Sequence, residues 1–278
     1  MRYELQIVTS EPSFPSAEEL VADVRARGIS QVMVAASGGF DDAQASPRLL
    51  VEEEGGARVL VGFERSEHAR FLASSLLGAP EPLQARLDAG DREVLARACT
   101  AFRLSVSQAG QGPADGVRLL VQLADALIER GGGVLLDAQM QLLWGASRWK
   151  AERALGEVDV RRHVVIHAEP TEAGLWMHTH GLLKFDRPDL EIFGVAEAQV
   201  EAGAGLLNHF ARSLASGGAL RVGDEAVLPG GHRVRVERGG RPPHDFEGEA
   251  LCLVDAPGPE PRTAPHHVAL ALQAFLRG

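Results

Sequence analysis

The sequence predicts an α+β fold made of two α+β halves, each an antiparallel or mixed sheet covered by helices. Three observations predict it. Short segments of period-two alternation follow one another at hairpin spacing. Segments with a helical apolar period close each group of strands. The strand-then-helix order restarts after residues 150–159, a charged stretch without long apolar runs, which sets the halves at 1–150 and 158–278. A doubly wound fold would alternate strand and helix throughout.

Residues 3–8 place Tyr3, Leu5 and Ile7 on one face of a half-buried strand. Ser16 caps a helix whose first turn carries Glu18 and Glu19, whose apolar positions are Leu20, Val21 and Val24, and which Gly28 ends. Residues 31–36 and 58–63 read as strands joined by a Gly/Asp/Pro-rich loop over 37–47. A helix over 67–77 is expected to turn Phe71 and Leu72 inward. Residues 100–107 alternate Phe102, Leu104 and Val106 with Arg103 and Ser105. The clearest helix is 116–130, with its stripe at Val117, Leu120, Val121, Ala124, Leu127 and Ile128. A short strand over 134–136 follows Gly131–Gly133, and Trp144 and Trp149 fall in a helical connection.

In the second half, residues 163–168 and 175–183 read as strands and 196–214 as a helix ended by Gly217 and Gly218. Residues 227–237 and 250–254 are further strands, 257–265 a stiff linker and 266–276 a terminal helix. Arg233, Arg235, Arg238 and Arg241, with counter-charges Glu237 and Asp245, read as a solvated edge strand.

Composition bounds the function. Apolar residues make up 45% and charged residues 24%, which allows a sizeable core. A net charge of −10 repels phosphate backbones, so nucleic acid is not expected as a partner. The N-terminal segment lacks a signal-peptide apolar core, and no apolar run reaches about 18 residues, so neither secretion nor a membrane is expected. Cys99 and Cys252 sit among apolar neighbours, as small buried thiols in a reducing, cytoplasmic compartment would.

No P-loop, HExxH or GxSxG is present, and no catalytic residue is assigned. The run Gly110-Gln-Gly112-Pro-Ala-Asp-Gly116 has the strand–glycine–helix order of a dinucleotide unit, with Asp137 after the next strand. Its spacing is GxGxxxG, and Pro113 removes an amide donor, so a loop entering a helix is the plainer reading and no cofactor is assigned. His178-Thr-His180 puts two imidazoles on one strand face, as metal ligands require. The pair resembles the HxH of JAB/MPN metalloproteases. Pro188 and Glu191 stand where that family has Ser and Asp, so its catalysis is not carried over.

The segment Leu175-Trp-Met-His-Thr-His-Gly-Leu-Leu-Lys-Phe-Asp-Arg-Pro-Asp-Leu-Glu-Ile resembles a W-x-x-T-x-G-L-x-x-F-x-x-P-[DE]-L-E stretch of bacterial families known only as domains of unknown function. The Gly-Gly, strand, Asp-x-Gln run over 131–139 resembles a second element of theirs. The resemblance implies a bacterial cytoplasmic protein and supplies no activity.

Two functional readings follow. The first is a non-enzymatic accessory protein that binds a protein partner, with Trp176, Asp189 and Glu191 as binding-surface residues. The alternative is a metal-dependent hydrolase. A hairpin closed symmetrically about 169–174 pairs His163 with His180, Val165 with His178 and His167 with Trp176. His163, His178 and His180 are then candidate ligands for zinc or a similar divalent ion, with Val164, Ile166, Met177 and Thr179 facing the core. Asp186, Asp189, Glu191 and Glu197, near Lys184 and Arg187, otherwise read as a solvated acidic face.

Overall fold

The computed structural model describes residues 3–11, 16–29, 32–37, 48–53, 56–65, 67–110, 112, 114–152, 159–228, 231–240, 250–256, 268 and 272. The chain divides into two compact units, Met1–Arg162 and His163–Gly278. Among the described residues each unit contains one sheet, one of seven strands and one of six, and the fold is α+β.

The first unit contains β1 (Glu4–Thr9), α1 (Ala17–Ala26), β2 (Val32–Ser37), β3 (Arg48–Glu53), β4 (Ala57–Arg65), α2 (Glu67–Leu77), α3 (Glu81–Gln84), α4 (Ala89–Ala96), β5 (Thr100–Ala109), α5 (Asp115–Gly131), β6 (Val134–Asp137), β7 (Leu142–Gly145) and α6 (Ala146–Glu152). Its strand order is β2-β3-β4-β5-β1-β6-β7, every neighbour antiparallel. The pairings Leu5↔Leu104 and Ile7↔Phe102 put these four apolar side chains on one face. Val8, one residue out of phase, packs with Ala73, Leu76 and Leu95 of α2 and α4. The alternate face is left for α5, which lies against β5, β4 and β1.

Within α5, Leu120 and Ala124 are fully buried and Leu127 nearly so. Truncating Leu127 to Ala is expected to cost roughly 2–5 kcal/mol, the transfer and cavity terms together. Denaturant titration checks it, and a loss below about half a kcal/mol would mean that this face of α5 is not seated in a core. Ser16 caps α1 as expected, with a reciprocal bond from its own amide to Glu19. The α1–α5 contact is clasped by Arg27 on Asp125 and by Arg130 on Glu19 and Asp23.

Several sequence expectations need correction. Phe71 is 71% exposed, because α2 turns Ala69, Ala73 and Leu76 inward. Residues 48–53 are a strand, paired on both sides. Trp144 lies on β7 rather than in a helix, held edge-to-face by Trp149 of α6. The loop expected over 37–47 lies outside the described residues beyond Ser37.

The second unit contains β8 (Val165–Thr171), β9 (Gly174–His180), a 3₁₀ turn (Leu182–Phe185), β10 (Asp189–Val195), α7 (Val200–Ala215), β11 (Glu225–Val227), β12 (Arg233–Arg238) and β13 (Ala250–Asp255). The order is β11-β12-β13-β10-β9-β8, mixed because β10 and β13 run parallel. Helix α7 lies close on one face. A Cβ at Gly203 would stand 2.7 Å from Met177 Sδ and 3.3 Å from Ile192 Cδ1. The strand expected over 227–237 is a hairpin, and β12 is interior, with Val234 and Val236 fully buried. Its arginines pair along the sheet, Arg233 with Glu225 and Arg235 with Glu237. The expected linker over 257–265 lies outside the described residues, as does the terminal helix apart from Val268 and Leu272, both buried.

Candidate functional site

The hairpin β8–β9 closes two residues later than symmetry about 169–174 requires. Thr171 pairs with Gly174, whose φ of +118° suits the tight return around Glu172 and Ala173. The observed pairs are Val165↔His180, His167↔His178 and Glu169↔Trp176, so the expected pairing of His163 with His180 is replaced. A slip of two preserves the side-chain faces, because the strand period is two. His167, His178, His180 and Trp176 therefore still share one face. Thr179 and Met177 are on the other, which meets α7.

Register carries this polar face across the sheet. His167 pairs with His178, His178 with Glu191, Glu191 with Cys252, and Cys252 with Glu237. Directly paired residues share a face, so these five form one row. Three imidazoles gather at its β8 end. Ring centres are 4.8 Å apart for His178–His180, 4.9 Å for His167–His180 and 5.6 Å for His167–His178. The Trp176 ring lies 3.7 Å from that of His178, with Phe193 stacked at 6.0 Å on the indole. Glu169 Oε1 is 3.9 Å from His178 Nε2. Of the expected metal ligands, His178 and His180 are in this cluster. His163 precedes β8, is buried, and sets its ring edge-on to Phe185 at 6.3 Å. His167 takes its place in the cluster.

The acidic run divides: Asp186 and Glu197 are exposed, as a solvated face requires, whereas Asp189 and Glu191 are not. Asp189 is 4% exposed and Glu191 fully buried, both on an interior strand. Glu191 accepts the Trp176 indole N–H at 3.1 Å and the Gly240 amide at 2.9 Å. Asp189 Oδ1 accepts the Thr179 hydroxyl at 2.8 Å and the Leu182 amide at 3.2 Å. The Thr179 oxygen in turn accepts the Leu190 amide at 2.8 Å. Trp176, Asp189 and Glu191, expected as a binding surface, are thus interior side chains held in two bonded groups, Glu191 with Trp176 and Gly240, and Asp189 with Thr179 and Leu182. The reason is that each carboxylate finds its donors on other segments: Trp176 and Thr179 on β9, Leu182 in the 3₁₀ turn and Gly240 just after β12.

Burial governs the titrating groups. It pushes the Asp189 carboxyl up to about 6, against the Thr179, Leu182 and Gly181 donors and the Lys184 charge, which all lower it. It holds His167 below the ordinary imidazole range, opposed by Glu169. It brings His180 down to about 4, with the positive charge of His167 adding to the effect. At neutral pH His167 and His180 are therefore uncharged. Among the described residues, no three His, Cys, Asp or Glu side chains are set to hold a metal ion as they stand.

The glycine loop of the first unit has its amide occupied. Gly112 N–H donates to Asp115 Oδ2 at 2.7 Å, and a Cβ at Gly110 would meet the Asp115 side chain at 2.8 Å. Arg118 then ties Asp115 to Glu53. The preceding strand β5 has antiparallel neighbours on both sides, whereas a dinucleotide unit is built on parallel strands.

The family model described as "Protein of unknown function (DUF4026) C-terminal" matches residues 163–233. This span contains the hairpin, the histidine cluster, β10 and α7. The second unit is therefore similar to a family of unknown function, as the Trp176-to-Glu191 stretch led one to expect. No curated protein and no solved structure matches the chain. No helix among the described residues is long and apolar enough to cross a membrane.

Proposed function

We propose that this chain is a bacterial cytoplasmic accessory protein that acts by binding a protein partner, without catalysis. The observation that carries the reading is the open edge of the second sheet. Among the described residues β8 pairs with β9 alone, and its residues Ala168, Glu169, Pro170 and Thr171 are exposed. An exposed strand edge is a ready template for a partner's backbone or side chains. Behind that edge the two buried carboxylates are fixed by at least two donors each, which favours a rigid support over a proton-transfer site. An acidic protein of this kind favours a basic or neutral partner surface over nucleic acid.

The metal-dependent hydrolase keeps one observation in its favour, the three imidazoles gathered beside Glu169. Turnover assays separate the two readings. The purified chain, supplied with zinc, is expected to hydrolyse ester, phosphoester and peptide substrates no faster than buffer does. Turnover that disappears in His178→Ala would overturn the binding reading in favour of the hydrolase.

A further inference from the structure

We infer that His167, His178 and His180 form a binding site for a divalent transition-metal ion of the zinc type, with Glu169 placed to complete it. The inference stands independently of the partner-binding reading, since an ion here needs no partner and no chemistry.

The argument rests on ring spacing. An ion bound tetrahedrally by three imidazoles at roughly 2 Å from each nitrogen sets the ring centres about 5 Å apart. The three centres observed are 4.8, 4.9 and 5.6 Å apart. Ring centres are fixed by backbone register and χ1, and here the register is that of two paired strands. The nitrogens are fixed by χ2, which is soft for histidine. Rotation about Cβ–Cγ swings both nitrogens while leaving the centre almost in place. The rings as they stand do not gather their nitrogens around one point. Ion binding is accordingly coupled to ring rotation on an already correct scaffold.

The surroundings support the site. His167 and His180 are only half-buried, so an ion can reach them from the β8 side. Glu169 lies two residues after His167 on the same strand face, and its carboxylate is already 3.9 Å from His178 Nε2. Trp176 lies against His178 and is pinned by its bond to Glu191, which gives the site one rigid wall. Three nitrogens and an oxygen suit zinc, cobalt or nickel better than calcium or magnesium, which favour all-oxygen shells.

Cobalt titration of the full chain, freed of metal with a chelator, tests this. One equivalent of Co²⁺ is expected to develop the intense visible absorption of a tetrahedral nitrogen–oxygen site, and Zn²⁺ should displace it. His167→Gln and His180→Gln, both at half-buried positions, should each weaken binding by more than about tenfold. His209→Ala, on α7, should leave it unchanged, and thermal denaturation would establish that each variant is folded. Absence of the band in the wild-type chain at millimolar Co²⁺ overturns the inference. So does a band of equal strength and affinity in both glutamine variants.

Discussion

Replacing Gly181 by alanine is expected to destabilise the second unit by roughly 3–5 kcal/mol, combining backbone strain with a backbone clash. Gly181 has φ of +119°, a region that residues with a Cβ rarely adopt. A Cβ there would lie 2.2 Å from the His163 carbonyl oxygen and 3.3 Å from Val164 Cα. Both are backbone atoms at the entry to β8, so no side chain can rotate away to relieve the contact. The chain would have to part β8 from the end of β9 or shift the Leu182 amide away from Asp189. Gly223 supplies the comparison, with φ of +97° and open space around the added Cβ. Alanine there should cost only the conformational term, about 1–2 kcal/mol. Urea titration of the two variants would measure the difference, and equal losses would contradict the close approach at Gly181.

The second large effect is a pair of opposed pH dependences in the metal-free protein. Asp189 is raised to about 6 in the folded chain, above the unfolded value near 3.9. Its contribution to stability is therefore greatest below about pH 4 and is lost as pH rises through about 6. His180 is lowered to about 4 in the folded chain, below the unfolded value near 6.5. Its contribution is present above about pH 6.5 and is lost as pH falls through about 4. Over much of pH 4–6.5 the two slopes cancel in the wild-type chain. Asp189→Asn keeps an oxygen for Thr179 and Leu182 and removes one slope. It is expected to match the wild type near pH 4 and to exceed it by roughly 1–3 kcal/mol at pH 7. His180→Gln should show the reverse difference, stabilising near pH 4 and not at pH 7, with a smaller amplitude because water reaches this ring. Stability curves parallel to the wild type at every pH would mean that neither group titrates as the burial implies.

What was legible in the sequence was whatever a period alone can specify. The alternation in β1 and β5 and the broad apolar stripe of α5 each identify an element and its buried side. The histidine face was legible for the same reason, since a register error of two leaves faces intact even when it changes every partner. The partners themselves depended on the turn, and a two-residue return at Glu172-Ala173 was hidden by a Pro-, Thr- and Gly-containing stretch that also suits a longer loop. His167 was consequently assigned to Trp176 rather than to His178.

Strand β10 was hidden by its charges. Asp189 and Glu191 look solvated in one dimension, because the donors that make their burial tolerable, Thr179, the Trp176 indole and the Gly240 amide, belong to other segments. Phe71 misled in the opposite sense. The inward face of α2 is lined by Ala69, Ala73 and Leu76, and small residues give a weak periodic signal beside one large exposed ring. The four-residue β7, Leu142–Gly145, is too short and too uniformly apolar for periodicity to separate strand from helix.

The binding reading is tested most directly by quantitative isolation of the tagged chain from its own cells, comparing wild type with Glu169→Arg/Thr171→Arg. Both positions are exposed on the β8 edge, and Glu201→Arg on α7 serves as an exposed control. A single protein recovered in near-stoichiometric amount with the wild type and the control, and lost from the edge variant, is the predicted result. Recovery of that protein undiminished with the edge variant, or recovery of the wild-type chain alone, would contradict the account.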